Sequence, residues 1–163
     1  MQKKPTLFIV AALLLLSAMS YAQPAQKPPA AKSDTSKGPL QLIPSFGAYT
    51  NGSKAFAADI KRLLTVNPPL KLKDSKGVTY NIVSFEITWK KKDVSDDIRS
   101  GKQKTVYYYV GGDIKGAKLT DSWKEEISNY IQKGEELTFG TILYFDPKRK
   151  VNSKAPSIVI SIQ

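Results

Sequence analysis

The last third of the chain, Thr120 to Gln163, changes its hydrophobic period within a few residues, and that switch constrains the fold more than any other feature. Trp123, Ile127, Tyr130 and Ile131 recur at helical spacing, which predicts a helix over about Trp123 to Lys133. Ser122-x-x-Glu125 fits a capping box at its start, where a hydroxyl and a carboxylate satisfy first-turn amides. Gly134 supplies a left-handed stop, with Lys133 at the negative end of the helix dipole. Glu136 to Phe145 and Ser157 to Gln163 then alternate as strands, with Ile158, Ile160 and Ile162 on one face of the last. A helix that covers a half-buried sheet places the chain in the α+β class.

The same grammar extends upstream. Phe56, Ile60, Leu63 and Leu64 make an apolar stripe over a second helix, about Ser53 to Thr65, with Ser53 as N-cap and Asn67-Pro68-Pro69 as stop. Leu40 to Ile43, Leu70 to Lys73, Val78 to Lys90 and Thr105 to Val110 read as strands. In the long one, Val78, Tyr80 and Ile82 alternate, and then Val83, Phe85, Ile87 and Trp89 continue on the opposite parity. A change of parity at Ile82-Val83 signals a bulge, because one extra residue moves the apolar set to the other face. In order, both halves read strand, helix, strand, strand, with a glycine-containing loop before each helix (Gly47 and Gly52; Gly111, Gly112 and Gly116). This is either a pseudo-repeat of about sixty residues that forms antiparallel sheet packed with two helices, or a coincidence of a common element order.

The N-terminus reads as an export signal. Lys3 and Lys4 precede an apolar run from Leu7 to Met19, and Ser20-Tyr21-Ala22 puts small residues where a signal peptidase cuts, before Gln23. The run is shorter than the roughly 20 apolar residues a spanning helix needs, so a mature chain without a membrane span is expected. Residues 1–22 are thus a cleavable signal, 23–39 a Pro/Ala/Lys-rich flexible linker, and 40–163 a single domain, periplasmic or secreted. Export permits disulfides, yet the chain has no cysteine, so a packed core must hold the domain together. Removing Lys3 and Lys4 with the signal takes the formal charge from +11 to +9, which favours an acidic partner.

Catalytic schemes fall away by elimination. With neither His nor Cys there is no imidazole base, no Ser-His-Asp or Cys-His arrangement and no zinc-finger ligand set. The glycines of Val110-Gly-Gly-Asp-Ile-Lys-Gly116 lack the spacings that aim amides at a phosphate and read as a turn. Asp93-x-Ser95-x-Asp97 opens like a calcium loop, but Ile98 stands where the sharp turn needs glycine and Lys104 where a bidentate Glu belongs. Glu125-Glu126 reads as a helix first turn and Glu135-Glu136 as a solvated strand start. The expectation is a protein that is not an enzyme, without catalytic residues, cofactor or metal.

What remains is a surface. Lys90-Lys91-Lys92 and Lys148-Arg149-Lys150 are the two basic runs, both expected in loops after strands. Tyr107 and Tyr109 share one face of a strand and Tyr108 the other; one ring in the core and two half-covered is the plain expectation. Lys90, Lys91, Lys92, Tyr107, Tyr109, Lys148, Arg149 and Lys150 together form the candidate binding surface. Trp89 and Trp123 occupy positions that pack into the core.

Lys133-Gly134-Glu135-Glu136-Leu137-Thr138-Phe139-Gly140-Thr141-Ile142 resembles the C-terminal periplasmic region of GldM-type gliding-motility and type IX secretion proteins. The likeness continues through Asp146-Pro147, the closing strand Ile158 to Ile162, and upstream through Tyr80 to Ile87, and spans about Leu40 to Gln163. It implies a protein-docking, dimerising module with no catalytic residues. The family's transmembrane motor part has no counterpart here, so motor function is not implied. The functional expectation is an exported adaptor that binds an envelope protein, with a homodimer implied by the resemblance. The alternative is a binder of anionic polymer through the basic runs and exposed tyrosines; polysaccharide fits an exported chain better than nucleic acid.

Overall fold

The computed structural model describes residues 41–97 and 101–163; the expected signal, linker and domain start at Leu40 lie outside them. The described elements are β1 (Leu42–Phe46), β2 (Ser53–Ala55), α1 (Ala57–Val66), β3 (Leu70–Asp74), β4 (Thr79–Tyr80), β5 (Ile82–Asp97), β6 (Lys102–Lys115), α2 (Asp121–Tyr130), β7 (Glu136–Asp146), β8 (Val151–Lys154) and β9 (Ile158–Ile162). The architecture is α+β. A three-stranded antiparallel sheet has the order β1-β3-β4, and a six-stranded sheet the order β2-β9-β7-β5-β6 with β8 beside the far half of β7. All pairings are antiparallel except β2 with β9.

One face of the large sheet carries the core. Phe85, Ile87, Trp89, Leu137, Phe139 and Ile160 are buried there, together with Ile60 and Leu64 of α1 and Ile127 of α2. The Phe139 ring joins the two sheets, lying 4.8 Å from Phe46 of β1 and 5.9 Å from Phe85 of β5. Fully burying side chains of this size contributes about 1.5–3 kcal/mol each. That supplies the stability a chain without cysteine cannot take from disulfides.

The parity change in β5 is present. Tyr80 and Ile82 are buried, Val83 and Val78 are exposed, and burial resumes at Phe85, Ile87 and Trp89. Register shifts fall between Ile82 and Ser84 and between Ser84 and Glu86. β7 bends at the same level: Leu137 and Phe139 are buried on one parity, Ile142 and Tyr144 on the other. Between them Thr141 takes φ +44°, a left-handed conformation that strains a β-branched residue. Its Oγ1 donates to Glu86 Oε2 of β5 at 3.2 Å, tying the two bulges together.

Several boundaries differ from expectation for identifiable reasons. Ser53 does not cap α1; it begins β2, opposite Ile160, and its hydroxyl accepts the Thr50 N–H at 3.0 Å to close a turn. α1 starts at Ala57 behind Phe56, which offers no side-chain cap and is itself exposed. Its stop is as read: Asn67 is left-handed at φ 46°, its N–H donating to the Leu63 and Leu64 carbonyls. In α2 the cap is Thr120, whose Oγ1 accepts the Trp123 N–H, and not Ser122. The helix ends at Tyr130, which is exposed, and Ile131 turns extended into the core, so Lys133 lies beyond the dipole's end.

Gly111 and Gly112 are not a loop but part of β6, opposite Thr88 and Ile87. The Trp123 ring of α2 packs over Gly112, where a Cβ would stand 3.5 Å from it, an ordinary contact distance. The pseudo-repeat is not confirmed. β1 pairs with β3 across α1, whereas β6 and β7, on either side of α2, are separated by β5.

Candidate interaction surface

The strands that carry the first basic run and the tyrosines form a projecting arm. β5 and β6 pair without a register shift from Ser84–Lys115 to Asp97–Lys102, but β7 accompanies β5 only as far as Lys90. From Lys91 outward the two strands continue alone. At about 3.3 Å per residue, the seven residues Lys91 to Asp97 reach roughly 20 Å past the sheet. Lys90–Lys92 therefore sits inside a strand and not in a loop, because the hairpin turns later than expected.

The register sets Lys90 opposite Tyr109, Lys91 opposite Tyr108 and Lys92 opposite Tyr107. Alternation then sorts them: Lys90, Lys92, Tyr107 and Tyr109 share the outer face, and Lys91 and Tyr108 join Trp89 on the inner one. All three tyrosines are exposed, Tyr109 most at 69%, so none enters the core. Lys90 Nζ lies 4.8 Å from the centre of the Tyr107 ring, a cation–π contact.

Lys91 is withdrawn from the surface. Its Nζ lies 4.3 Å from the Trp89 ring, 5.2 Å from Tyr130 and 5.8 Å from Tyr108, with Glu126 Oε1 at 3.3 Å. Burial alone would lower its pKa; the hydrogen bonds to Glu126 and Tyr108 and the charge of Glu126 outweigh it, and the pKa is raised. The ammonium thus fastens the inner face of the arm to α2.

A second fastening is Glu135, expected as a solvated strand start and in fact 2% exposed. Oε2 accepts the Trp89 indole N–H at 2.9 Å and the Gln132 N–H at 3.0 Å, and Oε1 accepts the Lys92 N–H at 2.9 Å. Three N–H donors make a buried carboxylate tolerable without a cation. The turn is stitched to β9 as well, through Gly134 N–H to the Ile162 carbonyl and Ile162 N–H to the Glu135 carbonyl, both 2.9 Å. The Tyr107 hydroxyl packs over Gly134, where a Cβ would lie 3.7 Å away.

Lys148, Arg149 and Lys150 do lie in a turn, between β7 and β8, where the Asp146 carboxylate accepts the Lys148 and Arg149 N–H groups. That turn is at the opposite end of β7 from Glu136, the residue beside Lys90, so about 30 Å of strand separates the two basic runs. Beside it a cleft of about 250 Å³ opens between Tyr80, Asn81, Phe145 and Pro147, with Lys76 and Lys148 at its rim. The candidate residues therefore make two places and not one surface.

Glu126 is engaged by Lys91, Glu135 by three amide or indole donors, and the Asp93–Ser95–Asp97 run is extended strand, unlike a calcium loop. Among the described residues no group of three acidic side chains is placed to hold a metal ion. No described helix is long and apolar enough to cross a membrane.

The residues missed from sequence are the arm's fastenings. Gly101, left-handed at φ 61° just before β6, was the available signal: a hairpin read around it sets three lysines against three tyrosines. Comparison with protein-family models and with curated proteins returns no match.

Proposed function

We propose that the domain is an exported, non-enzymatic docking module that holds an envelope protein against the β5–β6 arm. One observation carries the reading: a rigidly rooted ribbon that projects from the sheet and presents Tyr107, Tyr109, Lys90 and Lys92 together. Exposed tyrosines give large contact area at low cost in side-chain entropy, and they are enriched where proteins bind each other. The lysines select a partner with an acidic face. The leader supports export, and the resemblance of Lys133–Ile142 to the C-terminal region of GldM-type proteins supports docking and a tie to gliding or type IX secretion.

The test is a photo-crosslinking amino acid at Tyr109, with one at Lys54 on β2 as control, in cells that express the chain. A discrete adduct from position 109 and none from position 54 is expected. Equal patterns from both positions would refute the arm as the docking surface.

The shared outer face also favours a second reading, an anionic polysaccharide lying along Lys90, Lys92, Tyr107 and Tyr109. That binding would fall steeply with salt, as exposed charge pairs are screened within about 8 Å at physiological ionic strength. A glycan array blank at low salt would remove it.

A further inference from the structure

The arm leaves two strand edges open, β5 beyond Lys90 and β6 along its whole length, and among the described residues the β6 edge is the longest. β6 ends the six-stranded sheet, and among the described residues its outer side bonds to no other strand. It is 14 residues long, whereas β1 has five, β8 four, β2 three and β4 two. Folded proteins blunt such edges with shortness, proline, bulges or charge, because a long flat edge is a template for another strand. β6 has no proline and no register shift against β5. From Thr105 to Gly112 it also has no charge, and the run Val-Tyr-Tyr-Tyr-Val favours extended pairing.

Charge appears only toward the ends of this edge, as Lys102 and Lys104 on one side and Lys115 with Asp113 on the other. Lys90 and Lys92 add positive charge on the strand behind its centre. The pattern disfavours a second copy. Antiparallel pairing of two β6 edges about Tyr108 and Tyr109 would set Lys102 of each against Lys115 of the other and bring two strongly basic chains together. The two Lys104–Asp113 matches it offers at most cancel the two Lys102–Lys115 pairs, and the net positive charge of both chains stays unopposed.

We propose that β6 accepts an extended segment of a partner protein as an added strand, about eight residues long, with β-branched or aromatic residues at its centre and Asp or Glu toward its ends. Main-chain hydrogen bonds to Thr105–Gly112 supply the affinity, and the lysines at the two ends select the acidic flanks and fix the register. This rests on the docking reading and names the partner's chemistry.

The probe is a synthetic, fluorescein-labelled decapeptide, Asp-Glu-Val-Thr-Val-Tyr-Val-Thr-Glu-Asp, added to the purified protein. Two controls accompany it: the same peptide with four lysines in place of its acids, and the acidic peptide N-methylated at alternate residues, in both phases. Binding is read by anisotropy and by amide hydrogen exchange. The acidic peptide should bind at least tenfold more tightly than the lysine peptide, one methylated phase should lose binding, and exchange should slow within Thr105–Gly112 and not in β2. No binding, equal binding of the lysine peptide, undiminished binding of both methylated phases, or protection outside β6 would each overturn strand addition. If the crosslinker at position 109 still captures a discrete protein, docking stands and only strand addition fails; if it captures none, both fail.

Discussion

Glu135 offers the sharpest test of how the arm is held. Its carboxylate accepts three N–H bonds of 2.9–3.0 Å, one from Trp89, which is itself fully buried. Hydrogen bonds to a charged acceptor contribute about 1.5–3 kcal/mol each, and an orphaned buried donor costs a further 1–3 kcal/mol. Water entering the space left by the side chain recovers part of this, so Glu135→Ala should destabilise by about 4–6 kcal/mol, a large fraction of a domain's usual stability. Glu135→Gln keeps the shape, but its NH₂ must face one of the three donors. Keeping the amide oxygen at the Oε2 position retains Trp89 and Gln132 and sets two donors together at Lys92, a loss of about 2–4 kcal/mol.

A double-mutant cycle isolates the Trp89 bond. Trp89→Phe removes the donor, so Glu135→Ala no longer orphans it, and the two substitutions should couple by about 1.5–3 kcal/mol. Urea unfolding followed by far-UV circular dichroism is the assay, since fluorescence changes with Trp89 itself. Glu135→Ala costing under about 1 kcal/mol, or a coupling under about 0.5 kcal/mol, would refute the buried carboxylate as a fastening.

Other expectations follow from the same geometry. Lys91→Met should cost about 1–2 kcal/mol, because a largely desolvated cation among three rings is lost; hydrogen exchange should quicken in α2 and the root of β5 and leave β3 unchanged. Thr141→Gly should be neutral or stabilising by up to about 1 kcal/mol, since glycine relieves a left-handed φ, while Thr138→Gly on the same strand should destabilise; urea midpoints with unchanged slopes would measure both. Asp74 gives a pH dependence. Burial would raise its pKa, but the Val78 and Lys76 N–H groups and the Tyr80 hydroxyl outweigh this and lower it. A depressed carboxylate stabilises the fold above its unfolded pKa, near 3.9, and the contribution fades as pH falls through the folded value. Asp74→Asn should therefore flatten the acid limb of a Tm–pH curve, and an unchanged limb would count against it.

The fold class could be read from the chain because its strongest signals are local. Ile158, Ile160 and Ile162 alternate, Asn67-Pro68-Pro69 stops a helix, and a parity change marks the β5 bulge. The matching bulge in β7 was equally visible, as Leu137 and Phe139 against Ile142 and Tyr144, but Thr141 gives no warning of a left-handed backbone. Ser53 misled because a hydroxyl that accepts an amide closes a turn as readily as it caps a helix. The fastenings were hidden for a different reason. Lys91, Glu126 and Tyr130, or Trp89 and Glu135, lie some 40 residues apart, and only the hairpin register brings them together. Glu135 looked solvated because carboxylates usually are, and its burial depends on donors that sequence spacing does not reveal.

The pairing of β5 also fixes how the domain would carry a mechanical load. β5 is bonded to β6 from Ser84 to Asp97 and to β7 from Ile82 to Lys90. A pull on the arm along the strand axis moves β5 and β6 together and loads the β5–β7 ladder in shear, so its bonds must fail together. The two-residue β4, joined only to β3, would instead peel bond by bond. Tension applied through the arm would therefore travel down β5 into the centre of the large sheet.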